Sequence, residues 1–215
     1  MCGRFALSAK TKDIEKLAPI KPSFLIDEQR YNITPGTNIL AITKDDNNYI
    51  PDRFHWGLLP FGNDMKFSII NARCETINEK PSFRKLVNTS RVLIPATGFY
   101  EWAKAGKTKI PYYFSLNDES IFSFAGLYNI IRTESGNLLK TIAIITCEAN
   151  EIMQTVHNRM PIIIDEKLSI EYLNPENNIN EFQLPYPSNK MKSREVSAYV
   201  NHPRNDSIEC TKGVS

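Results

Sequence analysis

The chain of 215 residues is 41% hydrophobic, and its 26 Lys and Arg residues against 24 Asp and Glu residues give a net charge of +2. This length is enough for one large domain with a real core, and the small net charge excludes a general attraction to polyanions while leaving room for a local basic groove. No apolar leader segment or long uncharged apolar run occurs, so we expect neither secretion nor a membrane span.

Most of the predicted elements are short strands. An amphipathic helix is predicted over Thr11–Leu17, with Asp13 and Glu15 in its first turn. Runs rich in aromatic and β-branched residues predict the strands. These runs cover residues 2–8, 38–43, 52–60, 91–103 (two strands joined by a turn), 111–116, 121–131, 140–149 and 195–201. Short helices are predicted over residues 81–87, 151–158 and 166–173.

This order of elements decides the fold class. Strands dominate and are not interleaved with long helices, which argues against a doubly wound fold. We predict an α+β fold, with a mostly antiparallel, barrel-like β-sheet core and a few short helices. Turns are scattered evenly, so we predict a single domain over residues 1–215, with a core at about 2–201 and a C-terminal tail at 202–215.

The four cysteines are widely separated and form no CxxC pair, which is not the spacing of a structural zinc site. They are Cys2, Cys74, Cys147 and Cys210. In a chain without a secretory leader they are expected to be reduced thiols in a cytoplasmic protein. We predict neither a metal nor a cofactor.

Cys2 stands directly after the initiator in MCGRF. Aminopeptidases remove Met1 before a small residue, which would leave Cys2 with an α-amine and a thiol on adjacent carbons. Their ordinary pKa values, about 7.7–8.0 and about 8.5, leave both partly reactive near neutral pH. Such a 1,2-aminothiol condenses with an aldehyde to an imine and closes to a thiazolidine, or it acts as an N-terminal nucleophile with its own amine as base. The alternative is a small residue packed under the first strand.

Two polar clusters fall where strands would not need them. In NARCET, Asn71, Arg73 and Glu75 alternate and would share one face of a strand, as a site or as a solvated surface. In GFYEW, Glu101 lies between two aromatic residues, which would raise the pKa of its carboxyl by desolvation and suit a general acid. The alternative is a surface glutamate paired with a lysine.

A third cluster, TVHNRMP, ends the predicted helix over residues 151–158. His157 and Arg159 lie just before Pro161. A histidine there is either a proton-transfer group or only a partner of the helix dipole.

Eight motifs occur together in one order: MCGRF (1–5), WGLLP (56–60), NARCET (71–76), PSFR (81–84), IPATGFYEW (94–102), TCEAN (146–150), HNRMP (157–161) and VSAYVN (196–201). Over essentially its whole length the chain resembles the SOS response-associated peptidase (SRAP) family, whose members detect abasic sites in single-stranded DNA. WGLLP and TCEAN are close variants of the family pattern, and the positions of the catalytic residues show no departure.

The resemblance implies a mechanism centred on Cys2, which would form a thiazolidine with C1′ of the lesion and keep the strand intact. It implies that Glu101 moves a proton to open the sugar ring and assist imine formation. It implies that His157 positions the sugar oxygen and transfers protons, and that Asn71 orients Cys2 and the sugar.

The resemblance also implies how DNA is held. Guanidinium groups suit phosphates, and aromatic rings stack on bases. Core packing remains the alternative for both tryptophans, while one proline and one phenylalanine would wedge against an adjacent duplex. The predicted DNA-binding residues are Arg4, Arg73, Arg159, Trp56, Trp102, Pro35, Phe83, Thr146 and Met160. The expected partner is single-stranded DNA with abasic sites, including single-strand/double-strand junctions, bound by a monomer at damaged replication forks and, in a bacterium, at the nucleoid.

Two other function classes remain open. Cys2, His157 and Glu101 would also suit the nucleophile, base and orienting group of a cysteine (auto)peptidase. A non-catalytic module for single-stranded or modified DNA would instead bind reversibly and in a salt-sensitive way.

Overall fold

The computed structural model describes residues 2–21, 23–62 and 64–214, where thirteen strands form two sheets. The strands are β1 (Phe5–Lys10), β2 (Asp27–Ile33), β3 (Asn38–Asp45), β4 (Asn48–Trp56), β5 (Asn71–Arg73), β6 (Arg91–Ala96), β7 (Gly98–Ala105), β8 (Thr108–Leu116), β9 (Phe122–Arg132), β10 (Leu138–Glu148), β11 (Arg159–Pro161), β12 (Ile163–Ile164) and β13 (Met191–Glu195). The α-helices are α1 (Thr11–Leu17), α2 (Glu151–Gln154) and α3 (Glu166–Leu173). Short 3-10 helices include Cys74–Thr76, Leu86–Asn88, Ala198–Asn201 and Ile208–Thr211.

Five strands close into a barrel in the order β10-β4-β3-β6-β9, because β9 pairs back to β10. Strands β5 and β11 extend the sheet from β10, and β12 extends it from β9. Both β4 and β5 run parallel to β10, whereas the other strand pairings of the described residues are antiparallel. All six residues of β6 are buried, as expected for an apolar strand covered on both faces. The predicted α+β fold with a mostly antiparallel, barrel-like core is confirmed.

The second sheet has the order β13-β8-β7-β1-β2 and packs against the barrel through aromatic side chains. Phe5 of β1 contacts Trp56 and Phe124 of the barrel with ring centroids 5.3 and 5.5 Å apart, in edge-to-face geometry. Phe99 of β7 lies 5.9 Å from the same Phe124 ring. These edge-on contacts favour close packing beyond simple burial. They fix β1 on the barrel, so the residues just before β1 lie between the two sheets.

The chain crosses from the barrel to the second sheet between β6 and Gly98, the first residue of β7. A Cβ atom there would lie 2.2 Å from Tyr113 Cζ and 2.6 Å from the Phe114 carbonyl oxygen. Only glycine fits this close approach. The crossing brings β7 beside the start of β1, where the Tyr100 N–H donates to the Arg4 carbonyl at 2.9 Å.

Three predicted elements need correction, and strand β2 was missed. The strand predicted over 195–201 is β13 followed by the 3-10 helix Ala198–Asn201, because Val196 and Val200 both pack into a second small core at a helical spacing of four. The segment 81–87 forms turns over 81–85 and then enters the short 3-10 helix Leu86–Asn88 rather than an α-helix, and α2 is only Glu151–Gln154. Strand β2 was not predicted, because its sequence DEQRYNI is polar. No helix in the described ranges is long and apolar enough to cross a membrane.

Candidate functional site

Cys2 is fully buried in the cleft between the two sheets, and Asn71 holds it there. Asn71 Nδ2 donates to the Cys2 carbonyl oxygen at 2.8 Å. Asn71 begins β5, which pairs in parallel with β10, so the barrel fixes its position. Its Oδ1 is buried and accepts no hydrogen bond from the described residues. An amine or a hydroxyl group entering this cleft would therefore meet a ready acceptor.

Glu101 of β7 lies close enough to Cys2 to alter its ionisation, and only 5% of it is exposed. Burial, and then the charge of Glu101, raises the pKa of the Cys2 thiol, while a hydrogen bond from the Arg4 backbone N–H lowers it in part. The thiol therefore stays protonated at neutral pH. Thiolate nucleophiles of cysteine peptidases need the opposite shift. The burial of Glu101 also excludes the surface glutamate that the sequence left open.

The hydrogen bond of His157 through its Nδ1 atom settles which ring nitrogen carries the proton. The Arg159 backbone N–H donates to His157 Nδ1 at 2.9 Å, so in the neutral ring the proton is on Nε2. The His157 N–H donates to the Met153 carbonyl at 2.8 Å, which ties the residue to the end of α2. A neutral His157 is therefore a hydrogen-bond donor through Nε2.

Two cavities meet at His157. One, of about 610 Å³, is lined by Arg73, Glu148, Ala149, Gln154, His157, Asn158 and Arg159. The other, of about 540 Å³, is lined by Arg4, Glu101, Trp102, Lys104, Lys109, His157 and Asn201. Together they form a depression with cationic side chains on both sides of the histidine.

Arg4 and Trp102 form one wall of the second cavity. Arg4 lies over the Trp102 ring, with its guanidinium carbon 5.6 Å from the ring centroid. Trp102 Nε1 donates to Asn201 Oδ1 at 2.7 Å, which fixes the ring at the surface. The partly exposed indole is compatible with the base-stacking role predicted for Trp102, which stays a prediction.

Asn32 orients Arg4 and was not found by the sequence analysis. Its Oδ1 accepts from Arg4 Nη1 at 2.7 Å. Its Nδ2 donates to the carbonyls of Val200, His202 and Asn205, all in the segment that leads into the C-terminal tail. The tail thereby fixes a side chain that positions Arg4, two residues from Cys2.

We predict that Asn32→Ala lowers the free energy of unfolding by about 1–3 kcal/mol, because it removes a buried amide that donates to three backbone carbonyls and accepts from Arg4. Chemical denaturation measures this change. Asn38→Ala is the control, since Asn38 is exposed at the start of β3 and should change stability by no more than about 0.5 kcal/mol. Equal effects of the two substitutions would contradict the positioning role of Asn32.

Arg159 and Arg73 differ in their surroundings although both line the first cavity. Arg159 is paired with Glu75 through its two terminal guanidinium nitrogens, Nη1 and Nη2, and Nη2 also donates to the Thr146 carbonyl at 2.7 Å. This pairing lowers the pKa of Glu75. Arg73 is exposed at the end of β5, and Glu75 lies beyond it in a 3-10 helix. The strand face predicted for NARCET is therefore shared only by Asn71 and Arg73.

Two predicted DNA contacts are core residues in this structure. Trp56 is fully buried, and its Nε1 donates to the Ile70 carbonyl at 3.0 Å. Phe83 is also buried. Neither ring has a face for a base, so the stacking role of Trp56 and the wedge role of Phe83 are corrected to core packing. Trp56 ends β4 on the buried face of that strand, and Phe83 lies in the turns of residues 81–85, so the packing of each ring depends on tertiary contacts that the sequence alone does not reveal.

The remaining predicted contacts lie at or beneath the surface. Thr146 and Met160 are fully buried on the paired strands β10 and β11, and the Thr146 carbonyl holds Arg159. Direct contact of their side chains with DNA is therefore corrected to support of the cavity wall. Pro35 is half-buried in the turn between β2 and β3, and its wedge role stays a prediction.

The barrel, the second sheet and the buried N-terminal cysteine define an α+β protein whose site is built around its first residues. The family model described as SOS response associated peptidase (SRAP) matches residues 1–203, and the chain belongs to this family.

Known proteins similar to the chain include curated relatives and solved structures. The chain is 41% identical over 220 residues to the abasic site processing protein YoqW of Bacillus subtilis (strain 168), covering 97% of this chain and 98% of that protein. It is 28% identical to the abasic site processing protein YedK of Escherichia coli (strain K12), over the whole of both. A crystal structure of a protein from Bacteroides thetaiotaomicron superposes with a TM-score of 0.88 at 28% identity, covering both chains completely.

Proposed function

We propose that this protein captures abasic sites in single-stranded DNA, forming a thiazolidine between Cys2 and the lesion once Met1 is removed. The observation that carries the proposal is the buried Cys2 held by Asn71, with Glu101 beside it and His157 on the wall of the same cavity as Glu101. The relatives named abasic site processing proteins support the same substrate.

The chemistry follows from the ordinary reactivity of an aminothiol. An abasic deoxyribose is a hemiacetal in equilibrium with an open aldehyde. Glu101 takes the proton of the C1′ hydroxyl and returns it to the ring oxygen, which His157 Nε2–H positions by a hydrogen bond, so the bond between C1′ and the ring oxygen breaks and the aldehyde forms. Loss of Met1 converts the Cys2 amide nitrogen into an amine, which adds to C1′ and expels one water as the imine forms.

Ring closure then consumes the imine. The Cys2 sulfur bonds to C1′, the electron pair of the C=N bond moves to nitrogen, and the thiol proton passes to that nitrogen. Because no imine remains to acidify the C2′ position, β-elimination stops and the strand stays intact. The protonated thiol fits this sequence, since the amine attacks first and the sulfur enters second.

The path of the strand follows the two cavities. Arg73 lines one of the two cavities that share His157 and Arg4 lines the other, so they would contact phosphates on the two sides of the lesion. Phosphate contacts read no base edges, so we expect no sequence preference. An abasic nucleotide in a duplex would have to leave the stack to reach the buried Cys2, which favours single-stranded substrate.

A denaturing gel tests this proposal against both alternatives. The processed protein should give a heat-stable covalent band with abasic single-stranded DNA and none with a tetrahydrofuran analogue, which lacks the aldehyde. A non-catalytic binder would retain both DNAs equally on a native gel and neither under denaturing conditions. A peptidase would hydrolyse peptides in trans and give no covalent band, and either of these results would overturn the proposal.

A further inference from the structure

The hairpin of β7 and β8 carries a pair of like charges on the wall of the second cavity. Lys104 and Lys109 are direct cross-strand partners, and both line the cavity with Arg4 and Trp102. The Cβ atoms of such partners lie about 4.5–5.5 Å apart, and like charges placed opposite each other destabilise a sheet. This hairpin therefore keeps an arrangement that costs stability unless an anion occupies the space beside it.

No described residue compensates these charges. Within the described residues neither lysine forms an ion pair, although Lys140, Lys192 and Lys212 do. Glu101 is the single carboxylate among the described residues that line the cavity, and it is buried beside Cys2. Three cationic side chains thus line this cavity, and the two lysines among them are exposed.

The backbone of the β7–β8 hairpin is regular and fixes the positions from which both lysine side chains extend. Its register runs without interruption from Phe99↔Phe114 to Ala105↔Thr108, and Thr108 Oγ1 donates to the Ala105 carbonyl at 2.8 Å. The two-residue turn contains Gly106 with a φ of +61°, a conformation that glycine adopts without strain. Lys107 occupies the tip of this turn and is not among the residues that line the cavity.

We infer that Lys104 and Lys109 form a phosphodiester subsite that holds the arm of the DNA strand running past Arg4 and Trp102. Lysine suits this role because its ammonium group is a mobile point charge whose three N–H groups donate to phosphate oxygens in several directions. The neighbouring Trp102 ring offers a stacking face for a base of the same arm. The inference rests on the proposed function, since it names a further subsite for the same DNA.

The double variant Lys104→Ala/Lys109→Ala tests the subsite, with Lys107→Ala as the matched control on the same hairpin. Binding is measured by fluorescence anisotropy with single-stranded DNA that carries the tetrahydrofuran analogue, at several salt concentrations. We expect the Kd of the double variant to rise about tenfold. The slope of log K against log salt should become shallower by about 1.4, because each lost single-strand phosphate contact accounts for about 0.7.

The control variant should keep both the Kd and the salt slope of the parent protein. Lys104→Arg/Lys109→Arg should restore them, which a merely structural effect would not do. Equal Kd values and salt slopes for the double and control variants would overturn the inference.

The failure of this inference can be told from failure of the proposed function. If the parent protein forms no covalent product but the double variant loses salt-dependent binding, the subsite stands and the capture chemistry fails. If the covalent product forms and the salt slope of the double variant is that of the parent, the capture chemistry stands and the subsite fails.

Discussion

The variant Cys2→Ser is expected to form no heat-stable product with abasic single-stranded DNA and to cleave the strand slowly instead. Serine still permits removal of Met1 and leaves an α-amine, so the imine forms. A hydroxyl does not close a stable ring on that imine, which stays open to hydrolysis and β-elimination. A denaturing gel of labelled DNA, with and without borohydride, should show a trapped complex only in the presence of the reductant.

The control for this experiment is Cys210→Ser. Cys210 is also a buried free thiol, and its Sγ donates to the Asn205 carbonyl at 3.2 Å, a bond that a serine hydroxyl preserves. It should form the stable product as the parent protein does. A stable product from Cys2→Ser in the absence of reductant would refute the role of the thiol.

The variant Glu101→Gln is expected to slow covalent capture by a factor of about 10²–10⁴ at saturating DNA, because the amide cannot accept and return the proton. The Kd for DNA with the tetrahydrofuran analogue should change little, since the side chain keeps its size. Single-turnover kinetics measure the rate, and anisotropy measures the binding. A capture rate equal to that of the parent would remove Glu101 from the mechanism.

The same variant makes a second measurement possible, on the thiol itself. The negative charge of Glu101 contributes to the raised pKa of Cys2, so neutralising it should shift the pKa of the thiol downwards. At one fixed, mildly alkaline pH, the rate of Cys2 alkylation should therefore rise in Glu101→Gln. Glu134→Gln, in the exposed turn between β9 and β10, should leave both the capture rate and the alkylation rate unchanged.

The sequence predicts the barrel well because its strands are long runs of aromatic and β-branched residues. Strand β6 is an example, since its burial on both faces gives an apolar run. The helix Thr11–Leu17 is predicted equally well, because its apolar residues have amphipathic spacing. Strand β2 carries no such pattern, because its polar residues are held by the tail through Asp206, which accepts from the backbone N–H groups of Tyr31 and Asn32. Such pairing depends on tertiary packing that local sequence does not encode.

Some residues of the candidate site are also marked by the sequence, whereas others are not. The motifs around Cys2, Asn71 and Glu101 mark residues that the fold brings into one cleft. The lysine subsite could have been found from the alternation in AKAGKTK, which places charges opposite each other across a two-residue turn. Asn32 could not, because its role depends on contacts with the tail about 170 residues away along the chain.

Intact mass spectrometry of the reaction with a single abasic oligonucleotide tests the central claim most directly. If Cys2 captures the lesion, we expect a product with the mass of the Met1-less protein plus the DNA minus one water, and this product should be stable to heat without reductant. Digestion should place the added mass on the peptide that begins at Cys2. An adduct on a lysine side chain, or no adduct from protein whose Met1 has been removed, would contradict it.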